Sequence, residues 1–337
     1  MLLVVIIHRH LFPVPPEARG SVVAIGNFDG VHRGHQAVIG IAVQQARQSG
    51  APASVLTFEP HPRRFFRPDT PPFLLTRFRT KARVLAQIGV DHLFVLRFDA
   101  ALSGRTAEQF VDDVLIAGIG ARHVVVGYDF VFGKGRTGSA EMLQGRLAGR
   151  GIGTTIVQPV GAPMSAAWGE PLIVSSTGVR EALRAGDPRT AEHLLGRPFE
   201  IEGSVIRGDA RGRTIGFPTA NLWLREYQRP ALGVYAVKVA LAEPRLASGR
   251  TLTEPAVWRD GVANLGLRPT FGGLAEPRLE VHLFDYAGDL YGRRLRVALV
   301  EYLRPERKFD GLDALKAQIA RDAEEARQVL SERPQAG

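Results

Sequence analysis

Short apolar, β-branched runs recur through the first half of the chain, with stretches of helical spacing between them. Val22–Ile25, Ser54–Phe58, Leu93–Phe98, Val124–Gly127 and Thr155–Val160 are nearly continuous apolar runs. A central strand of a parallel sheet is buried on both faces and so lacks a polar side to alternate with. These runs predict parallel strands, and Leu2–Ile7 predicts a buried strand ahead of them. Gly34–Gln48, Thr80–Ile88 and Thr106–Ala117 carry helical patterns. In the last, Thr106 and Gln109 form a capping-box pair, and Phe110, Val111, Val114 and Leu115 supply an apolar stripe. Strand–helix alternation predicts a doubly wound α/β domain with a parallel sheet.

The pattern changes near Gly186-Asp187-Pro188. After a short helical stretch at Thr190–Leu195, strand-like runs follow at Phe199–Arg207, Gly233–Ala240, Ala256–Leu265, Leu279–Asp285 and Leu295–Tyr302. Gly- and Pro-rich joins separate them, and no long helical pattern intervenes. That predicts a small antiparallel β-barrel. Leu312, Leu315, Ile319, Ala323, Ala326 and Leu330 then recur at helical spacing opposite a charged face. They predict a C-terminal helix over Leu312–Leu330, packed on the outside of the barrel. The change divides the chain into domains 1–186 and 187–337.

Composition narrows the classes. The 337 residues, 45% hydrophobic and 23% charged, suffice for two cores. No apolar run reaches the roughly 18 residues of a spanning helix. Leu2–Ile7 is followed by His8, Arg9 and His10 and lacks the plan of a signal peptide. The absence of cysteine excludes disulfides, thiolate metal sites and cysteine nucleophiles, and fits a cytoplasmic protein. The formal charge of +9 comes from arginines spread along the chain without a dense run. That favours a solvated basic surface over a nucleic-acid stripe, so neither nucleic acid nor membrane is expected as a partner.

The first candidate site follows Val22–Ile25. The string Gly26-Asn27-Phe28-Asp29-Gly30-Val31-His32-Arg33-Gly34-His35 leads from a strand into a helix. Free N–H groups and the positive end of a helix favour an anion there, and glycines let phosphates approach the backbone. His32 and His35 share one face of the first helical turn and can donate to a polyphosphate. Spacing alone leaves an ordinary pair of surface histidines equally open. The whole string resembles the His-x-Gly-His nucleotidyltransferase superfamily. It is similar in particular to Gly-x-Phe-Asp-Gly-Val-His-x-Gly-His of the FMN adenylyltransferase half of prokaryotic FAD synthetases.

That resemblance implies a Rossmann-like nucleotidyltransferase domain, with Gly26, Phe28, Asp29 and Gly34 binding nucleotide and His32 and His35 catalytic. Phe58-Glu59-Pro60-His61-Pro62 ends another strand, and His61 is carried over as substrate-binding; a loop stiffened by prolines is the alternative. Gly127-Tyr128-Asp129-Phe130-Val131-Phe132-Gly133 resembles the family segment Gly-x-(Asp/Asn)-Phe-x-Phe-Gly, which implies a catalytic Asp129; a turn-capping Asp is the alternative. Ser175-Ser176-Thr177-Gly178-Val179-Arg180 resembles Ser-Ser-Thr-x-x-Arg and implies phosphate contacts from Ser176, Thr177 and Arg180. Gly178 departs from the larger, often basic residue expected there, and a plain N-cap on a helix Val179–Leu183 remains the other reading.

The second candidate site is Gly208-Asp209-Ala210-Arg211-Gly212-Arg213-Thr214-Ile215-Gly216-Phe217-Pro218-Thr219-Ala220-Asn221. Gly208, Gly212 and Gly216 permit close approach to phosphates, and Arg213 adds charge. Thr219 and Asn221 offer oxygens of the kind that hold Mg²⁺ with ATP. No Gly-Lys-Ser/Thr ending is present, so this is not a Walker loop. The string closely resembles the riboflavin kinase signature Gly-x-x-x-Gly-Arg-x-x-Gly-Phe-Pro-Thr-Ala-Asn. The resemblance continues through Gly233-Val234-Tyr235, through Gly261–Gly266 with Arg268-Pro269-Thr270-Phe271, and through Leu279-Glu280-Val281-His282-Leu283. It implies Glu280 as the catalytic carboxylate and Arg268 as substrate-binding. Alternation alone leaves open which face of that strand lines the pocket, with an outward-facing charge as the other reading of Glu280; the resemblance implies that the Glu280 face is the pocket.

Motifs of both domains stand in family order from about Ser21 to Asp322. The chain is thereby identified as a member of the bifunctional riboflavin kinase/FMN adenylyltransferase family. This implies ATP and Mg²⁺ as cofactors, riboflavin, FMN and FAD as substrates and products, and a cytoplasmic monomer or weak homo-oligomer. Two rivals are an adenylyl- or cytidylyltransferase for another phosphorylated metabolite and a nucleic-acid-binding barrel. The first has no use for Gly-Phe-Pro-Thr-Ala-Asn, and the second expects exposed aromatics among basic residues, whereas aromatics are 8% and sit mostly inside strand patterns.

Overall fold

The apolar runs of the first half assemble side by side because each has two faces to bury. The computed structural model describes residues 3–10, 13–161, 174–207, 217–242, 250–253, 256–269 and 275–333. They form two compact units, one from residues 1–70, 78–175 and 245–254, the other from 71–77, 176–244 and 255–337.

In the first unit the parallel strands are β1 (Leu3–His8), β2 (Val22–Ile25), β3 (Ala53–Glu59), β4 (His92–Arg97), β5 (His123–Gly127) and β8 (Gly153–Val157). A further strand, β12 (Arg250–Thr253), pairs antiparallel with β1 at one edge. The order is β12-β1-β4-β3-β2-β5-β8. Alternate residues of each strand face opposite cores. Val22, Ala24, Val55 and Leu93 pack with Ile39 and Ala42 of helix α1 (Arg33–Ser49). Val23, Ile25, Leu56 and Phe94 pack on the other side with Phe110, Leu115 and Leu143. Helices thus cover both faces, as a doubly wound sheet requires. The strand order reverses direction between β2 and β5, which puts a switch-point crevice at the carboxyl end of β2.

In the second unit β9 (Phe199–Ser204), β10 (Ala220–Trp223), β11 (Gly233–Leu241), β13 (Arg259–Pro269), β14 (Ala275–Leu283) and β15 (Arg294–Arg304) form an antiparallel sheet ordered β10-β14-β13-β11-β15-β9. Ile206, just past β9, bridges Asn221 of β10, so the ends of the sheet meet in a nearly closed barrel. Ile201, Leu222, Val237, Leu265, Leu279, Val281 and Val297 are fully buried. The C-terminal helix, Leu312–Ser331, lays Ala323, Ala326 and Leu330 against Val234, Ala236, Val262, Phe284 and Val300 on the outside of the barrel.

Several details differ from the sequence expectation. The helix begun by the Thr106–Gln109 capping box is α-helical only over Ala107–Gln109 and continues as a π-helix over Phe110–Ile119. Its buried residues recur at i, i+4 and i+5, as in Phe110, Val114, Leu115 and Ile119, a pattern that the wider π turn keeps on one face. The strand expected over Thr155–Val160 is Gly153–Val157, because Pro159 cannot donate to a ladder. The strand expected from Ala256 begins at Arg259 and runs on to Pro269. Leu312 is 55% exposed, since only the later turns of its helix reach the barrel. The sequence reading assigned no strand to β10 or β12, nor to the short hairpin β6 (Val131–Phe132) and β7 (Gly138–Ser139).

Candidate functional sites

The chain leaves β2 through Gly26–Val31 and enters α1 with His32 as its N-cap. The turn is tightly wound: Phe28 and Val31 adopt left-handed φ values of 47° and 43°. Such a conformation costs of order 1–3 kcal/mol at a non-glycine residue and persists only where the surroundings enforce it. Here both side chains are buried, as is Asp29. A side chain would be crowded on both sides of the turn. A Cβ at Gly26 would lie 3.0 Å from the Phe28 ring, and one at Gly34 would lie 3.3 Å from the His32 imidazole.

His32 and His35 stack with ring centroids 3.6 Å apart, and Phe28 meets His35 edge-on at 5.3 Å. The His35 backbone N–H donates to His32 Nδ1 at 3.3 Å. A neutral His32 therefore carries its proton on Nε2, leaving an N–H donor at a helix N-terminus. The turn is braced from below. Thr57 Oγ1 donates to the Asn27 carbonyl at 3.2 Å, and the buried Lys81 donates to the same carbonyl at 2.9 Å. Lys81 also reaches Glu59 Oε1 at 3.3 Å. Sequence reasoning missed Lys81, which stood only as one residue of a helical pattern.

A cavity of about 720 Å³ opens beside this turn, lined by Gly26 and Asn27. Phe58, Phe98, Phe110, Phe130 and Phe132 make its walls, and His61, Arg63, Asp129 and Arg136 supply polar groups. Most of these residues stand at or just beyond the carboxyl ends of β3, β4 and β5. Among the described residues the buried Asn27 Oδ1 has no hydrogen-bond partner, so a donor on a ligand could satisfy it. His61 caps the short helix Pro62–Phe66, its Nδ1 accepting from the Arg63 N–H at 3.1 Å. Of the residues singled out in the sequence, the structure gathers Gly26, His61 and Asp129 on this cavity, next to the His32–His35 turn. Ser176 and Thr177 open the helix Ser176–Ala185, which belongs to the other unit. Arg180 lies on the same helix and donates from Nε to the Phe73 carbonyl at 2.9 Å.

In the barrel, a second cavity of about 460 Å³ is lined by Thr219, Asn221, Val281, Leu283, Tyr286 and Asp289, among others. Cross-strand register sets Asn221, Glu280 and Asn264 in one row over β10, β14 and β13, so their side chains share a face. Val281 and Leu283 point the other way, and Glu280 is not among the cavity's lining residues. Arg278 Nη2 lies 3.1 Å from Glu280 Oε1. His282 Nδ1 lies 2.9 Å from the Pro218 carbonyl, which can only accept, so that nitrogen carries the proton. Gly208, Gly212, Arg213, Gly216, Thr270 and Phe271 lie outside the described residues; Arg268 lies on β13.

Among the described residues no cluster of histidine and carboxylate side chains could hold a metal by itself. Thr219 and Asn221, which both line the barrel cavity, instead carry neutral side-chain oxygens. That donor set suits a Mg²⁺ ion that takes most of its ligands from phosphates and water.

A switch-point turn that ends in paired imidazoles, joined in one chain to a nearly closed antiparallel barrel, defines a nucleotide-using transferase of two units. The comparisons make it specific. The FAD synthetase family model matches residues 14–166, and the riboflavin kinase family model matches residues 195–330. The bifunctional riboflavin kinase/FMN adenylyltransferase of Escherichia coli K12 is 44% identical over 96% of both chains. That of Bacillus subtilis is 38% identical over 97% of both. A solved structure described as a macrolide-efflux protein from Streptococcus pneumoniae matches with a TM-score of 0.79 at 32% identity, covering 96% of this chain and 98% of that one. The chain belongs to the bifunctional riboflavin kinase/FMN adenylyltransferase family. No helix among the described residues is long and apolar enough to cross a membrane.

Proposed function

We propose that the two activities of this chain, riboflavin kinase and FMN adenylyltransferase, divide between residues 187–337 and 1–186, respectively. The observation that carries this reading is the stacked His32–His35 pair at a helix N-terminus beside an aromatic cavity, with a separate carboxylate–amide row in the barrel. Aromatic walls suit the planar isoalloxazine ring, and Arg63 and Arg136 suit the FMN phosphate. An FMN phosphate oxygen attacks the α-phosphorus of ATP, the α–β bridging bond breaks, and pyrophosphate leaves. His32 and His35 hold the triphosphate charge, while Gly26, Phe28, Asp29 and Gly34 shape the cradle; Ser176, Thr177 and Arg180 are read as phosphate-binding from their motif. Asp129 and His61 orient the reacting groups. Phosphoryl chemistry of this kind needs positioning and charge rather than a side-chain nucleophile.

In the barrel Glu280 accepts the proton of the riboflavin 5′-hydroxyl, whose oxygen attacks the γ-phosphorus of ATP, and ADP leaves. Gly208, Gly212, Arg213 and Gly216 cradle the phosphates, and Arg268 contacts the flavin substrate. Thr219 and Asn221 would hold Mg²⁺, which when bound to ATP neutralises phosphate charge. The partners are small molecules, with neither nucleic acid nor membrane required. We place the enzyme in the cytoplasm as a monomer or weak homo-oligomer.

The test is an assay of the full chain with riboflavin, ATP and Mg²⁺. The double variant His32→Ala/His35→Ala should accumulate FMN without FAD. Glu280→Gln should make no FMN yet convert added FMN to FAD. Loss of both activities in both folded variants would overturn the two-site assignment.

A further inference from the structure

Arg278, Glu280 and His282 follow one another on the outward face of β14, at the two-residue spacing of a strand. The Arg278–Glu280 contact is the close one, at 3.1 Å, and neither side chain is well exposed, at 10% and 22%. Arg278 is itself held in place. Its cross-strand partner is Trp223 of β10, and the guanidinium carbon lies 6.0 Å from that ring's centroid. An aromatic face at this distance attracts the cation and narrows its rotamer choice. Glu280 is flanked in register by Asn221 and Asn264, and Asn264 Nδ2 donates to Glu306 Oε1 at 3.2 Å. The carboxylate thus sits in a row with Asn264, which is itself hydrogen-bonded, and pairs with the Arg278 guanidinium.

We infer that Arg278 is a positioning residue for Glu280 in the riboflavin kinase reaction, an inference that rests on the reading of Glu280 as the base. A carboxylate base works only within hydrogen-bond reach of the hydroxyl it deprotonates. A free glutamate on a strand samples several rotamers. Arg278 takes one carboxylate oxygen and so selects the rotamer, without touching the reacting atoms. Its role is to set how often Glu280 is aligned, and it belongs to the chemical step rather than to nucleotide binding.

The test uses the full chain and three variants, Glu280→Gln, Arg278→Met and Arg278→Lys, each assayed for both activities. Arg278→Met should lower riboflavin kinase kcat by about 10- to 100-fold, the scale of a misaligned catalytic group. KM for ATP and the FMN adenylyltransferase rate of the same preparation should stay at wild-type values. Arg278→Lys keeps a cation at the site and should recover part of the lost kcat. The inference is overturned if Arg278→Met leaves kcat unchanged. It is equally overturned if kcat falls only together with a rise in KM for ATP and Arg278→Lys recovers nothing. If Arg278→Met does not fold, a folded Arg278→Lys with wild-type kcat and KM supports the inference, and one as slow as Glu280→Gln overturns it. A Glu280→Gln variant with normal kinase activity would sink the assignment of the base itself, which is a separate result.

Discussion

Lys81 is 3% exposed, and its ammonium bridges the Asn27 carbonyl and the Glu59 carboxylate. It joins the Gly26–Val31 turn to the end of β3 and to the helix Phe78–Ile88. Replacing it by methionine keeps the bulk but leaves a carbonyl and a carboxylate without their cation. Glu59 is partly exposed and can turn to water, so the cost is mainly that of the lost buried hydrogen bond, about 1–3 kcal/mol. The Lys81→Met chain should therefore show a lower denaturant midpoint and a reduced FMN adenylyltransferase rate, with riboflavin kinase activity retained. Equal loss of both activities would contradict that role. His32 and His35 were legible in the sequence because their relation is local, three residues apart on a helix start. Lys81 was not, because its partners stand 54 and 22 residues away and lysine in a helical pattern signals only a solvated face. The face of Glu280 was likewise undecidable from alternation alone; it took the register with Asn221 and Asn264 to place it.

Among the elements, those that bury an apolar stripe or run were read closely, and those held by the backbone were not. Val22–Ile25 matches its observed strand end for end. The strand Arg250–Thr253 joins the parallel sheet through main-chain bonds to β1, for which side-chain patterning carries no signal. The C-terminal helix combines both cases. Its apolar docking on the barrel through Ala323, Ala326 and Leu330 follows from spacing. Asp322 on the same helix does not: it is 3% exposed and pairs with Arg304 of β15, with Gln318 donating to it at 2.8 Å. A lone Asp on the rim of an apolar stripe reads as solvent-facing until the strand opposite supplies an arginine. Asp322→Ala strands the Arg304 guanidinium in a buried position, which costs about 3–5 kcal/mol. Riboflavin kinase activity should then be lost at a lower temperature than in the wild type, while FMN adenylyltransferase activity keeps its thermal profile. A kinase unit that melts unchanged would mean that the helix docks by apolar contact alone.

At the scale of the whole molecule the two units carry opposite pH liabilities. The first unit contains His8, His92 and His123, and all three are pushed below the usual 6.5, chiefly by burial. His8 Nε2 and His92 Nδ1 lie 3.0 Å apart, and His92 also disfavours a proton on His8, while Glu17 and Asp91 pull in the opposite direction without prevailing. An unfolded histidine binds its proton near 6.5 and these bind theirs lower, so the unfolded chain holds more protons below that pH. This unit's stability is complete above about 6.5 and falls as the pH drops through the lowered folded values. The second unit contains Tyr235 and Tyr302, whose phenols donate to the carbonyls of Ala231 and Leu232. Burial raises both above the usual 10. Here the unfolded chain loses protons first, so stability is complete below about 10 and falls as the pH rises beyond it. Aliquots of the full chain heated at about pH 5.5, 7.5 and 10.5 and then assayed at neutral pH should divide accordingly. Acid should remove FMN adenylyltransferase activity first, and alkali should remove riboflavin kinase activity first. His92→Asn, which removes the buried imidazole, should blunt the acid loss and leave the alkaline one alone. If both activities vanish together at both extremes, the two units unfold as one and the titrating groups do not act separately.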